Sequence, residues 1–181
     1  YTFGDVYLSS VRTALDAAME AKGLKVVDKD SNANQQTQTD DINTALVTGA
    51  NAVVVNMVES GAIGTAETLM NAIKEKDVPA VFFNRAVSTD NNEAAELFKG
   101  YEKSAFVGTD FTQAGIMQGK MIGDYLVENF DKVDLNGDGK ISYAMMMGQL
   151  GNAEAIYRTQ FAVEDANAVL KEAGKPELEY F

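Results

Sequence analysis

The chain of 181 residues contains no cysteine and no histidine. Those absences exclude thiol and imidazole nucleophiles and every metal site built on thiolate or imidazole, so any metal must be held by oxygen. They do not decide the redox compartment, because a chain without cysteine suits export and cytosol equally. Basic side chains are scarce: 15 Lys plus Arg face 27 Asp plus Glu, a net charge of −12, which argues against binding a phosphate backbone. No apolar run approaches the ~20 residues of a membrane span, and we expect no signal peptide within these residues. The chain opens on Tyr1 rather than Met, so we expect a processed or cut start. What is there suffices for a folded domain. With 46% hydrophobic and 23% charged residues, about 70% of the unfolded surface can be buried in a single domain.

Apolar periodicity predicts alternating helices and strands. Asp5 caps a helix with Leu8, Val11, Leu15, Ala18 and Ala21 on one face, stopped by Gly23. A short strand, LKVVD (Leu24 to Asp28), and a polar tract, KDSNANQQTQTDD, follow. The next helix buries Ile42, Ala45 and Leu46 and ends at Gly49; AVVVNMV (Ala52 to Val58) reads as a fully buried strand. Ala62 to Lys76 is predicted helical, and VPAVFFN (Val78 to Asn84) a strand that tolerates Pro79 only near its start. Arg85 to Lys103 reads as a loop, Ser104 to Asp110 as a strand, and Asp110 with Gln113 as a capping box. The helix behind that box runs to about Asn129 with Ala114, Met117, Met121 and Tyr125 inward. A strand, ISYAMMMG (Ile141 to Gly148), leads to a last helix from Ala153 to about Ala173, closed by Gly174 and Pro176, and LEYF opens one further strand. Strands and helices in this order predict an α/β, doubly wound parallel sheet with helices on both faces. Ligands in such sheets lie beyond the carboxyl ends of the strands. The loops there carry Asp5, Tyr7, Asn84, Arg85, Asp110 and GQLGNAEAIYR (Gly148 to Arg158).

Between the long helix and ISYAMMMG lies DLNGDGKIS, Asp134 to Ser142. These are the opening nine positions of a calcium loop of the EF-hand kind, yet the twelfth, where a bidentate Glu closes the cage, is Met145. Side chains of Asp134, Asn136, Asp138 and Ser142 and the carbonyl of Lys140 offer five ligands, where calcium takes six to eight oxygens. Gly139 supplies the sharp turn and Ile141 anchors the loop. The plain alternative is a solvated Asn/Gly turn.

VPAVFFNR, FVGTD, a helix, VDLNGDGKISY, a strand and NAEAIYR follow one another in the order and near the spacing found in the amino-terminal lobe of the bacterial galactose/glucose-binding proteins, which this sequence resembles over nearly its whole length. Those are type I periplasmic binding proteins that deliver sugar to an ABC transporter and, in some bacteria, to a chemoreceptor. The resemblance implies a monosaccharide ligand, transporter permease subunits as partners, a structural calcium, a periplasmic or extracellular location, and attachment to the membrane only through a lipid anchor outside this chain. It also implies that the missing calcium carboxylate comes from a distant strand, beyond Phe181. Residues 1–176 correspond to the amino-terminal lobe and 177–181 to the start of the hinge. The second lobe is then absent, and YTFGD reads as the end of a first strand otherwise missing, whose loss exposes its neighbours' edges. We therefore expect these residues to be part of a larger chain.

A neutral hexose needs groups that satisfy several hydroxyls at once and a ring against its apolar face. Asp5, Asn84, Glu154 and Arg158 form such a polar set and Tyr7 supplies the ring. Each has a structural alternative. Asp5 serves equally as an N-cap, Tyr7 as an exposed aromatic at a helix start, Asn84 as the beginning of a turn, and Glu154 with Arg158 as an i, i+4 helix salt bridge. The chain departs from the family where better-known members carry His and Asp: here stand Asn152, a hydroxyl donor or a cap, and Glu154, one methylene longer. Tyr7 replaces a common Phe and Ser142 a usual Gln. The sugar is thus open between galactose, glucose and another pyranose. Rival readings are the effector domain of a LacI-type sugar-responsive repressor, an EF-hand sensor, which needs a helix after the loop, and a small α/β enzyme. No GxSxG elbow, phosphate loop or dinucleotide fingerprint supports catalysis.

Overall fold

A computed structural model describes residues 2–181. The elements run α1 (Val6–Glu20), α2 (Gln35–Val47), β1 (Val53–Val55), α3 (Ile63–Glu75), β2 (Ala80–Phe83), α4 (Asn91–Lys99), β3 (Ser104–Val107), α5 (Phe111–Val133), β4 (Ser142–Tyr143), α6 (Ala153–Glu172) and β5 (Glu179–Tyr180). They fall into two compact units, Tyr1–Val107 and Gly108–Phe181.

In the first unit a parallel sheet has the order β1-β2-β3, with Val53 beside Ala80 and Ala80 beside Ser104. The α/β reading with a parallel sheet flanked by helices holds. Strand residues two apart share a face, and Val53, Val55, Ala80 and Phe82 point into one core with Ile42 and Leu46 of α2 and Ala66, Leu69, Met70 and Ile73 of α3. Val54 and Val107, on the other face, are exposed.

Several elements differ from the expectations. Arg85 to Lys103 is not all loop: α4 forms because Asp90 caps it through the amides of Asn92 and Glu93, and Leu97 and Phe98 pack on the core. Helix α2 starts inside the polar tract, capped by Asn34, since Gln38, Ile42 and Leu46 stand one turn apart on its buried side. Leu24 to Asp28 forms no strand, because no described strand lies alongside it to complete a ladder; Arg12 of α1 instead holds Asp28 by an ion pair of 2.8 Å. Leu8, Val11 and Leu15 of α1 are half-buried as expected, but Ala18 is exposed and Met19 takes its place. The ladder of the Ala52 to Val58 strand covers only Val53–Val55. Phe3 and Gly4 lie in a turn ahead of α1, and Tyr1 lies outside the described residues.

The second unit is organised by α5 against α6. The inward face of α5 is Gly115, Gly119 and Gly123, continued by Leu126 and Phe130. Met117, Met121 and Tyr125, expected inward, are 57%, 71% and 60% exposed. The reason is distance: a Cβ at Gly119 would stand 2.5 Å from the Phe161 carbonyl oxygen, and one at Gly115 2.5 Å from that of Tyr157. The helix bends at Asn129, where it was expected to end (φ −123°, ψ 21°), and then continues to Val133 because Phe130 packs with Leu126, Ile141 and Leu170. Ile141 to Gly148 pairs only at Ser142–Tyr143, since β5 offers just Glu179–Tyr180 as a parallel neighbour. The further strand expected from LEYF is thus present.

Helix α5 begins at Asp110, whose Oδ1 accepts from the amide (2.9 Å) and hydroxyl (2.6 Å) of Thr112. Gln113 returns no side-chain bond among the described hydrogen bonds, so the box is a simple cap. The Thr112 hydroxyl, followed by its amide, holds the Asp110 carboxyl below its ordinary pKa of 3.8. A depressed carboxylate stabilises the fold above its unfolded value and loses that contribution as pH falls through the folded one. Asp110→Asn should therefore lower the urea midpoint at pH 7 and converge with the native chain as the pH falls below the ordinary carboxylate range. Gly119→Ala should destabilise by about 1–3 kcal/mol in the same assay, because the backbone oxygen it meets cannot rotate away.

Candidate functional site

The carboxyl ends of β1 and β2 form one rim. Asn84 follows β2 directly, and its amide donates to Val107 O at 2.9 Å, continuing the ladder one step past Phe83. Its φ of +65° places it in the left-handed region, which costs a residue with a Cβ about 1–2 kcal/mol unless, like Asn, its side chain bonds locally. The backbone therefore turns sharply at the strand end and lifts Asn84 out of the sheet. Arg85, next in the chain, is buried, and its guanidinium donates to Val58 O at 2.9 Å.

Asp5 is the N-cap of α1, with Oδ1 accepting from Leu8 N at 2.8 Å, so the capping alternative is realised for one oxygen. Tyr7 stands in the first turn of α1, 64% exposed, free of the core. Asp5, Tyr7 and Asn84 belong to the first unit.

In the second unit Asn152 caps α6, its Oδ1 accepting from Ala155 N at 3.2 Å. Glu154 follows in the first turn and Arg158 one turn on. No ion pair joins Glu154 to Arg158 among the described residues, so both remain available to a third group. Asn152, Glu154 and Arg158 line one open recess of about 380 Å³ together with Gln118, Met145, Gln149 and Thr159. Gln118 and Thr159 were not anticipated, and Gln149 lies in the segment Gly148 to Arg158 singled out from the sequence. The spacing of Gln118 one residue before Gly119 holds the only sequence signal: a polar residue beside the contact stripe of α5 lies at the edge of the groove between α5 and α6. The recess presents a carboxylate, a guanidinium, three amides and a hydroxyl beside the thioethers of Met145 and Met146, a mixture suited to a small polyhydroxylated molecule with an apolar face.

The loop Asp134 to Ser142 follows α5. Asp134 accepts through Oδ1 from Gly137 N (2.9 Å) and Asp138 N (3.2 Å), and through Oδ2 from Gly139 N (2.7 Å). Asn136 donates to Asp138 Oδ2 at 2.9 Å, and Asp138 Oδ1 accepts from Lys140 N at 2.9 Å. Gly137 and Gly139 have φ of +69° and +81°, conformations that open the turn and that glycine adopts without strain. Ile141 is buried with Leu126, Phe130 and Leu170, and Lys140 pairs with Glu179 at 3.1 Å. Asp134, Asn136 and Asp138 thus hold their oxygens around one short turn whose own amides they engage. The donor set is all oxygen, which fits a hard cation, but among the described residues no group of three carboxylates gathers there.

The left-handed backbone at Asn84 separates structure from chemistry. Asn84→Gly should leave the melting temperature nearly unchanged, whereas Asn84→Val should destabilise by about 1–2 kcal/mol, as read by thermal unfolding.

The comparisons agree with the resemblance. The chain is 33% identical over 171 residues to the D-galactose/methyl-galactoside binding periplasmic protein MglB of Haemophilus influenzae, covering 93% of this chain and 48% of that one. It is 24% identical over 136 residues to the ribose import binding protein RbsB of Bacillus subtilis, covering 75% and 40%. Among solved structures, the periplasmic binding protein component of the arabinose ABC transporter from Shewanella sp. ANA-3 superposes with a TM-score of 0.63 at 18% identity, over 99% of this chain and 52% of that one. An ABC transporter, LacI family transcriptional regulator from Brachyspira murdochii gives 0.65 at 17% identity, over 99% and 54%. The chain spans about half the length of the curated relatives it matches. The periplasmic binding protein domain family matches residues 1–181, and the chain belongs to that family.

Proposed function

We propose that this chain is the sugar-gripping part of an extracytoplasmic solute-binding protein, which captures a monosaccharide of the galactose or glucose kind and hands it to an ABC transporter without chemical change. The observation that carries the reading is the recess at the start of α6, where Asn152, Glu154 and Arg158 face one space and no ion pair neutralises Glu154 against Arg158. A guanidinium and a carboxylate with no ion pair among the described residues are groups that make short, charge-assisted bonds to sugar hydroxyls. Within the first unit, Asp5 and Asn84 offer polar groups and Tyr7 a ring face of the same chemistry. The identity to a galactose-binding relative supports the ligand class. None of the described helices is long and apolar enough to cross a membrane. The likeness to a regulator is at 17% identity and speaks to the fold alone.

We further propose that Asp134, Asn136, Asp138, the Lys140 carbonyl and Ser142 hold a structural calcium. The alternating oxygen side chains and the two glycines with left-handed backbone support it. When bound, the ion neutralises the two carboxylates and fixes the turn between α5 and β4.

A thermal-shift screen of the full-length protein against hexoses and pentoses, with and without chelator, tests both. A hexose should raise the melting temperature. Arg158→Ala should weaken its binding by about ten- to a hundred-fold, and Arg158→Lys by nearly as much, because an ammonium lacks the planar fork. Chelator should lower the melting temperature of the native chain but not of Asp138→Ala. A protein stabilised by no sugar would refute the ligand reading, and one indifferent to chelator the metal reading.

A further inference from the structure

A piece of irregular backbone braced by several side chains lies just past β1 in the first unit. The ladder stops at Val55, yet Asn56, Met57, Val58 and Ser60 are buried. Buried backbone groups released from a ladder need other partners, and here side chains supply them. Gln38, itself only 5% exposed, donates through Nε2 to Asn56 O at 2.8 Å and accepts through Oε1 from Val58 N at 3.0 Å. Its amide thereby does for residues 56 and 58 what a neighbouring strand would do. Gln35, one turn earlier, accepts from Glu59 N at 3.1 Å. From the opposite side Arg85 donates to Val58 O at 2.9 Å, and Gly61 N donates to Ala86 O at 2.8 Å. The strand-end segments 56–61 and 84–86 are thus bonded to each other and, through Gln38, to α2. A side-chain oxygen within this segment, Asn56 Oδ1, is buried and has no protein partner.

We propose that Gln38 is a positioning residue for the sugar rim: by bonding both sides of Met57 it fixes the segment after β1, and through Val58 and Arg85 it fixes the turn that presents Asn84. The inference rests on the sugar-binding reading above. Gln38 touches no ligand in this account; it acts through backbone it holds still. An apolar residue of the same size would fill the same space and leave Asn56 O and Val58 N unpaired, so packing alone does not explain an amide at this position.

The test uses the full-length protein with Gln38→Met, of similar volume, and Ile42→Val, one turn on along the same buried face of α2 but bonded to nothing at the rim. Three quantities are read: the melting temperature, the amide hydrogen exchange of Val58 and Asn84, and the Kd for the best hexose of the screen at a temperature well below unfolding. Gln38→Met should speed exchange at Val58 and Asn84 without sugar and raise Kd about ten-fold. Ile42→Val should lower the melting temperature but leave exchange at the rim and Kd within about two-fold of the native protein. A merely structural Gln38 would lower the melting temperature with Kd unmoved, and that result overturns the proposal. If Gln38→Met does not fold, Arg85→Lys loosens the same segment from the other side, and a Kd within two-fold of native there also overturns it. A native protein that binds no sugar refutes the sugar reading and takes the positioning role down with it. Normal native binding with unchanged Val58 exchange in Gln38→Met refutes the positioning role alone.

Discussion

Everything at the rim of the first unit depends on one requirement: where a parallel ladder ends inside a protein, the backbone groups it releases must still be bonded. Strand β1 leaves its ladder after three residues, and the chain that follows stays buried. With the ladder ended early, the glutamines of α2 and Arg85 bond its continuation instead. The core beneath, from Ile42 to Phe82, gives that arrangement a rigid floor.

The second unit meets a different constraint, the closeness of two helices. Three glycines at a spacing of four let α5 lie against the backbone of α6, so that α6 is held along its length rather than at one contact. The start of α6 bears Asn152, Glu154 and Arg158, and the end of α5 bears Asp134. The recess lined by Asn152, Glu154 and Arg158 and an oxygen-rich loop are therefore mounted on the same helix pair.

Much of this was legible. The parallel α/β sheet followed from the order of apolar runs, and the caps at Asp5, Asp110 and Asn152 from residue type and position. What the pattern hid has physical causes. Helix α2 was read short because a glutamine occupies the buried position one turn before Ile42, and a polar residue looks like a loop until its partners are known. Helix α4 is too brief and too polar to show its period. The inward face of α5 was assigned to Met117, Met121 and Tyr125 because periodicity counts apolar bulk, whereas the true contact is made by residues with no side chain. Leu24 to Asp28 has the composition of a strand, but composition supplies no neighbour to pair with. For the proposed sugar and metal positions, residue type and spacing suggested the chemistry; the bracing of segment 56–61 had no sequence signal beyond Gln38 standing in register with Ile42 and Leu46.

The glycine stripe carries a consequence for how this family member can vary. Any replacement at Gly115, Gly119 or Gly123 introduces at least one carbon where there is no space for it, so drift at these sites is closed even to the smallest alternatives. The three exposed apolar residues alongside, Met117, Met121 and Tyr125, face no such barrier in this unit. A saturation library of α5 would record a four-residue rhythm of intolerance opposite in phase to hydrophobicity, a signature by which helix pairs of this kind can be recognised from variant counts alone.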